Sequence, residues 1–273
     1  MNSQAAAQQF ALPTTWDAAA ADYAEEMDPH TRHFAMEAIR LASLPARAHV
    51  LDVACGSGAV ALLAASAAER VEALDFSVQM LDRLREQATR QGSTNVCVRE
   101  GNGQALPFPD ESFDVAFSMF GLQFFGDRAR GLAELRRVLR RGGRAVIGCW
   151  APQDRIHPMG ELLAEMARRF PGLPFGKFRV PLGEKAEVET EMSAAGFSGV
   201  TVHSFVHAVP FGSPRHFWNW VQRSSVAMVL LRRAVGDETW APLASSVGDA
   251  LEERLGTGPQ SFSMPAWIGV GGP

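Results

Sequence analysis

A glycine-rich turn with acidic residues on either side is the part of this sequence best suited to bind a ligand. Residues 50–61 read VLDVACGSGAVA, so Gly56 and Gly58 lie between an apolar run and a helix-like segment. Such a turn lets backbone N–H groups at a helix N-terminus approach an anionic or electron-rich ligand. Asp75 ends the next apolar run, about 20 residues on, where an acidic residue binds ribose hydroxyls. Together these features predict a nucleoside site.

Two kinds of nucleoside cofactor fit this spacing. The pattern Gly56-x-Gly58-x-x-Ala61 matches the dinucleotide motif of NAD(P)-linked oxidoreductases. Asp52, however, precedes the turn at the end of the first strand, where its carboxylate would repel a pyrophosphate and attract an ammonium. S-adenosylmethionine (SAM) carries an ammonium, for acceptors near Asp52 and Ala54, and a carboxylate, for N–H groups of the loop. Asp52 therefore favours SAM, and the oxidoreductase stays as the alternative.

Four ordered segments between residues 48 and 150 resemble the class I SAM-dependent methyltransferases. They read VLDVACGSG, EALDFS, REGNGQALPFPDESFDVAFSMFGLQFF and LAELRRVLRRGGRAVIG. They are most similar to the branch that contains the ubiquinone and menaquinone-biosynthesis C-methyltransferases and many small-molecule methyltransferases. The resemblance implies a Rossmann-like fold, SAM as the cofactor and S-adenosyl-L-homocysteine as the product.

The resemblance also implies which residues hold the cofactor. They are Asp52, Gly56 and Gly58 for the methionyl part, Asp75 for the ribose, Phe76 beside the adenine, Asn102 for the adenine amino group and Ser118 near the sulfonium, and Ala54, Met80, Gly103 and Gln104 complete the predicted cofactor site. Phe76, Met80 and Phe120 suit a plain core position equally well. Asn102 replaces the acidic residue that usually accepts a hydrogen bond from the adenine amino group, although an amide oxygen can still accept one. Gln123 stands in Leu122-Gln123-Phe124, where the family often has Leu-His-His.

Methyl transfer from a sulfonium depends mainly on alignment, because the methyl group is already activated. A general base is needed only when the acceptor atom has a proton to lose. No catalytic base is assigned; the candidate side chains are Tyr23, His33, Gln123 and His157, with His30 considered alongside them. We predict in-line transfer of a methyl group from SAM to a small, hydrophobic or aromatic metabolite. The altered Asn102 and Gln123 motivate a further alternative, a non-catalytic binding module with the SAM fold.

The elements that must position these residues alternate between strand and helix patterns. Strands are predicted at 49–54, 70–75, 95–99, 113–118 and 143–149, with two more at 200–209 and 263–270. Helices are predicted at 58–68, from a Ser77 cap to Gly92, and from an Asp127 cap to a stop at Gly142-Gly143. Parallel strands need such crossovers. With the resemblance, the pattern predicts an α/β fold: a Rossmann-like seven-stranded, mostly parallel sheet with helices on both faces, an antiparallel last strand and a helical cap.

The flanking segments complete a single predicted domain spanning residues 1–273, of which 48–150 form the SAM-binding core. Residues 1–47 predict a lid of two helices, the second starting at Asp28-Pro29, because proline is tolerated at a first helical position. Residues 151–273 predict the remaining strands and cap helices at about 214–256, the first of them one long helix with Phe217 and Leu231 on the same face. The apolar residues available to line an acceptor pocket are Phe211, Phe217, Trp218, Trp220 and Met228.

Composition and charge exclude several other functions. The 273 residues are 47% hydrophobic and 21% charged, which is typical of a globular chain. The longest apolar run, 59–65, is too short to cross a bilayer, and the first 13 residues read as a leader without a secretory signal pattern. A net charge of −4 disfavours nucleic acid as a partner. Three widely spaced cysteines indicate neither disulfides nor a metal site. We expect a cytoplasmic protein that acts on a small-molecule methyl acceptor without membrane or nucleic-acid partners; its oligomeric state is left open.

Overall fold

One seven-stranded sheet organises the part of the chain that this computed structural model describes, residues 8–154, 156–173, 175 and 180–273. The strands are β1 (His49–Val53), β2 (Arg70–Asp75), β3 (Val96–Glu100), β4 (Phe113–Met119), β5 (Leu139–Trp150), β6 (Ser198–Phe211) and β7 (Gln260–Gly272). Their order is β3-β2-β1-β4-β5-β7-β6, with β7 antiparallel to both neighbours and the other pairs parallel. The predicted fold class is confirmed. Because the order reverses between β1 and β4, a ligand crevice is expected at the carboxyl ends of these two strands.

The helices cover both faces of the sheet and its carboxyl edge. They are α1 (Pro13–Ala42), α2 (Ala59–Ala64), α3 (Val78–Gln91), α4 (Arg128–Val138), α5 (Met159–Arg169), α6 (Lys185–Ala194), α7 (Pro214–Ser224), α8 (Val226–Val235) and α9 (Asp237–Leu255). In β1, Val50 packs with α1, α2 and α3, whereas Leu51 packs with α4 and α6 on the other face. This alternation is the period-two pattern of a strand buried on both sides.

A single unbroken helix, α1, runs through the described part of the N-terminal lid from residue 13 to 42, where the prediction has a second helix begin at Asp28-Pro29; residues 1–7 of the predicted lid lie outside the described residues. α1 continues through Pro29, although an interior proline removes an N–H and crowds an earlier carbonyl at a cost of about 3 kcal/mol. One face of α1 is buried on both sides of this proline, at Ala20 and Met27 before it and Phe34 after it. Burial of that continuous face outweighs the local penalty, so the predicted helix start at Asp28-Pro29 was wrong.

The glycine pair Gly142-Gly143 lies inside β5 and does not end the preceding helix as predicted. α4 ends at Val138, and β5 begins at the next residue. Gly142 has φ +78°, and a Cβ on Gly143 would lie 2.9 Å from the carbonyl oxygen of Asp114. The pairing between β4 and β5 shifts register here. The glycines therefore permit a bulge between two strands, a role that local pattern does not distinguish from a helix stop.

The cap is divided differently from the prediction. Ser225 has an extended conformation with φ −92° and ψ 114°, and it separates α7 from α8 where one long helix was predicted. The break allows both short helices to place an apolar face toward the end of the sheet, with Phe217 and Met228 buried in the same cluster as Phe262 of β7. Within the described ranges, no helix couples enough length with enough apolar content to traverse a bilayer.

Candidate functional site

A cavity of about 1400 Å³ opens at the carboxyl ends of the parallel strands. Its walls include the segments that follow β1, β2, β3, β4 and β5, the N-terminal part of α1, and the cap helices α7 and α8. It therefore occupies the crevice expected where the strand order reverses. Of the eleven residues predicted to hold a cofactor, nine line this cavity; Gly58 and Ser118 do not.

The turn after β1 depends on backbone conformations that favour glycine. Ala54, Gly56 and Gly58 all have positive φ, of +56°, +54° and +97°. At Gly58 a side chain would also collide, because a Cβ would lie 2.2 Å from Cδ1 of Leu84 on α3. Gly58 thus allows α2 and α3 to approach each other, while Gly56 and Ala54 form the cavity wall.

Asp52 is buried at the end of β1 and ties the turn to α2. The residue is only 2% exposed to solvent. Its Oδ2 accepts a hydrogen bond from the backbone N–H of Ala61 at 3.0 Å. Burial, and secondarily the neighbouring Asp75 carboxylate, raises the pKa of Asp52 to about 8. An ammonium ion in the cavity would reverse this shift, since an opposite charge favours the ionised carboxylate.

Asp75 joins the turns that follow β1 and β2. Its Oδ2 accepts from the backbone N–H of Gly56 at 2.8 Å, and its Oδ1 accepts from that of Ser77 at 2.9 Å. Burial raises the pKa of Asp75 to about 6, against the opposing effect of these N–H donors. A carboxylate offers about four acceptor sites, so both oxygens can still accept from a ligand hydroxyl.

The segment after β3 forms another part of the cavity wall. Asp75, Phe76 and Met80 line the same cavity. Gly103 must lack a side chain, because a Cβ there would lie 2.5 Å from Phe125 and 2.7 Å from Val53. Next to it, Oδ1 of Asn102 accepts a hydrogen bond from the backbone N–H of Gln104 at 2.9 Å. Asn102, Gly103 and Gln104, all predicted to be part of the cofactor site, are thus together in one tight turn.

Ser118 is not brought to the cavity, in contrast to the prediction. It is fully buried in β4, and its hydroxyl has no hydrogen-bond partner. Neighbouring strand residues face opposite sides, and Met119 and Phe120 line the cavity in its place. Phe120 leaves the strand with φ +64°, and its ring stacks on that of Trp150 with centroids 3.7 Å apart.

Two of the four candidate catalytic side chains line the cavity. Tyr23 does, and burial, reinforced by the nearby Asp28 and Asp75 carboxylates, raises the pKa of its phenol. Gln123 does also, but its Oε1 accepts from the backbone N–H of Trp150 at 3.0 Å, which fixes the end of β5.

The candidate histidines do not line the cavity. His33 is exposed on α1 and stacks on His207 of β6 with centroids 4.2 Å apart. His30 also contacts His207, with Nδ1 and Nε2 3.2 Å apart. His157 is exposed and absent from the cavity wall. The order of segments along the sequence predicts that these histidines lie near the cleft, but it does not specify which face of a helix or loop they occupy.

Two aspartates of α1 hold the lid to the predicted cofactor loops, and sequence reasoning missed both roles. Asp28 accepts hydrogen bonds from the hydroxyl of Ser57, inside the glycine turn, and from Nε2 of Gln87 at 2.9 Å. Asp17 accepts from the hydroxyl of Ser77 at 2.6 Å. Burial raises the pKa of Asp28. The partners are distant in sequence, so no local pattern marks these contacts.

Most of the remaining wall of the cavity is apolar, although Asp28, Asp154 and Glu184 also line it, and much of the apolar part belongs to the predicted cap. Its residues include Met159, Leu162, Leu163, Trp220, Val221, Met228 and Leu231. Trp220 and Met228 therefore line the cavity as considered from the sequence, whereas Phe211, Phe217 and Trp218 pack inside the cap. Phe120 and Trp150, at the carboxyl ends of β4 and β5, line the cavity and pack in the same apolar cluster as the cap residues.

Known proteins share both the sequence and the fold of this region. Residues 51–147 match a family described as a methyltransferase domain. A demethylmenaquinone methyltransferase from Lactiplantibacillus plantarum is 38% identical over 119 residues, which cover 42% of this chain and 50% of that protein. The chain spans about half the length of the curated relatives it matches.

Residues 51–147 are a class I methyltransferase domain. The structure of YcgJ from Bacillus subtilis shares the fold of this methyltransferase domain and its flanking elements, with a TM-score of 0.58 and 22% identity over 88% of this chain and 97% of that one. A phosphoethanolamine N-methyltransferase from Haemonchus contortus, solved with S-adenosylhomocysteine, has a TM-score of 0.55 and 17% identity, covering 88% of this chain and 52% of that one. The methyltransferase domain and the neighbours solved with SAM or S-adenosylhomocysteine support SAM as the cofactor.

Proposed function

We propose that the protein transfers the methyl group of SAM to a small, uncharged hydrophobic or aromatic acceptor. The observation that carries this proposal is the single cavity in which the glycine turn, Asp52 and Asp75 adjoin a wall of apolar cap residues. A cofactor at the carboxylates and an acceptor under the cap would meet at Phe120 and Trp150. Partial similarity to demethylmenaquinone methyltransferases supports an apolar acceptor.

The residues present fit SAM by charge and by shape. Among the described residues that line the cavity, the buried ionisable acids Asp52 and Asp75 face no cationic side chain, and a ligand ammonium would supply the missing positive charge. Gly56 lines the cavity, and nothing lies within 4 Å of where its Cβ would be, so its backbone is open to close approach by a ligand. When bound, SAM supplies an electrophilic methyl group on a sulfonium.

The contribution of the chain to catalysis is then alignment and exclusion of water. The turns after β1 and β2 are linked through Asp75, so the two ends of a bound nucleoside are held by one rigid unit. The stacked rings of Phe120 and Trp150 provide a flat aromatic surface on which an acceptor can pack. Positioning of this kind can supply several kcal/mol of the barrier reduction.

Calorimetric titration tests the cofactor assignment directly. We expect wild-type protein to bind S-adenosylhomocysteine and not NADH, and Asp75→Ala to lose that binding. Asp249→Ala, at an exposed position in α9, is the matched control and should bind normally. Binding of NADH without binding of S-adenosylhomocysteine would instead establish the oxidoreductase alternative.

Activity requires a second measurement, transfer of a labelled methyl group from SAM to a panel of acceptors. The panel should pair uncharged phenols and quinols with carboxylated or phosphorylated analogues of the same ring. We expect product with the uncharged members. Binding of S-adenosylhomocysteine without methyl transfer to any acceptor would favour the non-catalytic binding module.

A further inference from the structure

Two neighbouring side-chain amides, those of Asn102 and Gln104, determine which hydrogen-bonding groups the cavity offers to a cofactor base. Both residues line the cavity in the turn that follows β3. What they offer depends on the orientation of each amide, because one end of an amide only accepts and the other only donates. The inference below rests on the proposed SAM-binding function.

Backbone donors fix both orientations. The backbone N–H of Gln104 donates to Oδ1 of Asn102 at 2.9 Å, and the backbone N–H of Asp127 donates to Oε1 of Gln104 at 2.6 Å. A backbone N–H cannot accept, so the side-chain atom at each position must be the oxygen. With its oxygen held in this way, Gln104 donates its Nε2 to Oδ1 of Asn102 at 3.1 Å.

The acceptor capacity of Asn102 is therefore used within the protein. Its carbonyl oxygen has two lone pairs, and two hydrogen bonds from Gln104 occupy them. The amide nitrogen of Asn102 keeps two N–H donors, and the residue is exposed at the cavity wall. Asn102 thus presents a donor where a carboxylate would present an acceptor.

The position of Asn102 relative to Asp75 identifies what it would contact. Asp75 ends β2, and β3 is the next strand outward, with Asp75 paired to Glu100 in the register. A nucleoside whose ribose binds Asp75 and whose tail points to β1 must place its base on the β3 side. There the base meets the turn at Asn102, which lines the same cavity as Phe76 and Gly103.

We propose that Asn102 selects the cofactor base by donating a hydrogen bond from its amide nitrogen to a ring nitrogen, N1 of adenine, and that Gln104 sets this polarity. The exocyclic 6-amino group, which is itself a donor, has no matching acceptor on Asn102. The site consequently distinguishes purines by the acceptor in the ring and tolerates loss of the amino group.

Two analogues of S-adenosylhomocysteine separate these contacts. The 1-deaza analogue lacks the ring acceptor, and the 6-deamino analogue lacks the amino donor. For the wild-type protein, we expect calorimetry to show a Kd about tenfold weaker for the 1-deaza analogue and less than about threefold weaker for the 6-deamino analogue, in keeping with one lost hydrogen bond.

Asn102→Asp should exchange these sensitivities. One carboxylate oxygen can keep both hydrogen bonds from Gln104, while the other offers the acceptor that the 6-amino group requires. The Kd of the variant for the 6-deamino analogue should therefore be about tenfold weaker than its Kd for S-adenosylhomocysteine. Gln91→Glu, at an exposed position of α3, is the matched control and should keep the wild-type order. Tight binding of the unmodified ligand by the variant confirms that it is folded.

The outcomes distinguish this inference from the proposed function. A wild-type protein that loses more affinity with the 6-deamino analogue than with the 1-deaza analogue overturns the inference alone, as does an unchanged order in Asn102→Asp. A wild-type protein that binds no form of S-adenosylhomocysteine overturns the proposed function and the inference with it.

Discussion

At the scale of single residues, the protonation of Asp52 should make cofactor binding depend on pH. Its pKa is raised to about 8, mainly by burial, so the carboxyl is largely protonated in the free protein at pH 7. A ligand ammonium pairs with the ionised form, so binding releases a proton and should tighten as the pH rises from 6 to 8. Titration with S-adenosylhomocysteine in buffers of different ionisation enthalpy measures this release.

Asp52→Asn provides the control for that experiment. The amide oxygen can still accept from the N–H of Ala61, but it cannot ionise. We expect the variant to bind more weakly and to lose most of the proton release between pH 6 and 8. Equal proton release in both proteins would assign the titration to another group, of which Asp75, with its pKa raised to about 6, is the nearest.

Two glycines with similar backbone conformations allow strain and steric collision to be separated. Gly58 and Gly92 both have positive φ, but only at Gly58 would a Cβ collide, at 2.2 Å from Cδ1 of Leu84. Gly92→Ala should lower the free energy of unfolding by about 1 kcal/mol, from backbone strain alone. Gly58→Ala adds overpacking and should cost about 2–4 kcal/mol. Urea denaturation measures both, and equal losses would contradict the collision.

The site residues that sequence could predict are those whose role is set by local backbone. Gly56 and Asp75 belong to motifs in which a strand end and a turn fix the position of the residue. Asp28 and Asp17 act across 29 and 60 residues, through the docking of α1 on the loops of Ser57 and Ser77. Such contacts follow from tertiary packing and leave no periodic trace in the sequence.

At the scale of elements, α1 shows tertiary burial overriding a local signal. If the interior Pro29 is tolerated only because both halves of the helix are buried, then Pro29→Ala should restore a helical hydrogen bond and raise the free energy of unfolding by about 1–2 kcal/mol. Pro13→Ala, at the start of the same helix, should give no gain, because proline is well suited there. Thermal and urea unfolding compare the two, and an equal effect would show that Pro29 carries no penalty.

The docking of α1 should also control how fast the cofactor leaves. Asp17 accepts from both the hydroxyl of Ser77 and the backbone N–H of Gln79, so it fastens the lid beside Asp75. Asp17→Ala should increase the dissociation rate of S-adenosylhomocysteine about tenfold, through loss of these charge-assisted hydrogen bonds. Stopped-flow fluorescence can follow the release, because Trp16 lines the cavity.

The control for the lid is Glu25→Ala, which removes a carboxylate from an exposed position of the same helix. Its dissociation rate should match the wild type. If Glu25→Ala accelerates release as much as Asp17→Ala does, general loosening of α1 would explain the effect and the specific fastening at Ser77 would be contradicted.

The sheet was more predictable than the cap for a physical reason. The parallel strands β1, β2 and β4 are buried on both faces, so they read as short apolar runs, whereas the antiparallel strand β6 is largely exposed. Apolar and β-branched residues bounded by turn signals still mark all seven strands in the sequence. In the cap, α7 and α8 carry apolar faces whose continuity predicts one helix. The break at Ser225 depends on how the two helices meet β7 and the cavity, which the helical period does not encode.

At the scale of the whole molecule, the fold divides one cavity between two chemical environments. The carboxylates come from the strand ends that the methyltransferase domain shares with its relatives, and the apolar wall comes from segments outside residues 51–147. Substitutions in the cap should therefore leave the affinity for the cofactor unchanged but alter the specificity for the acceptor. The single domain predicted for residues 1–273 contains both parts of this cavity.

Filling the apolar part should separate acceptor binding from cofactor binding. Leu231 of α8 lines the cavity, whereas Val229 of the same helix does not. Leu231→Trp should raise KM about tenfold for bulky acceptors and leave the Kd of S-adenosylhomocysteine unchanged, because Leu231 packs in the apolar cluster of the cap, whereas Asp75 belongs to the end of β2. Val229→Trp adds a similar volume away from the cavity and should change neither constant. If Leu231→Trp weakened cofactor binding instead, the cofactor would contact the cap, which would contradict the assignment of the apolar part of the cavity to the acceptor.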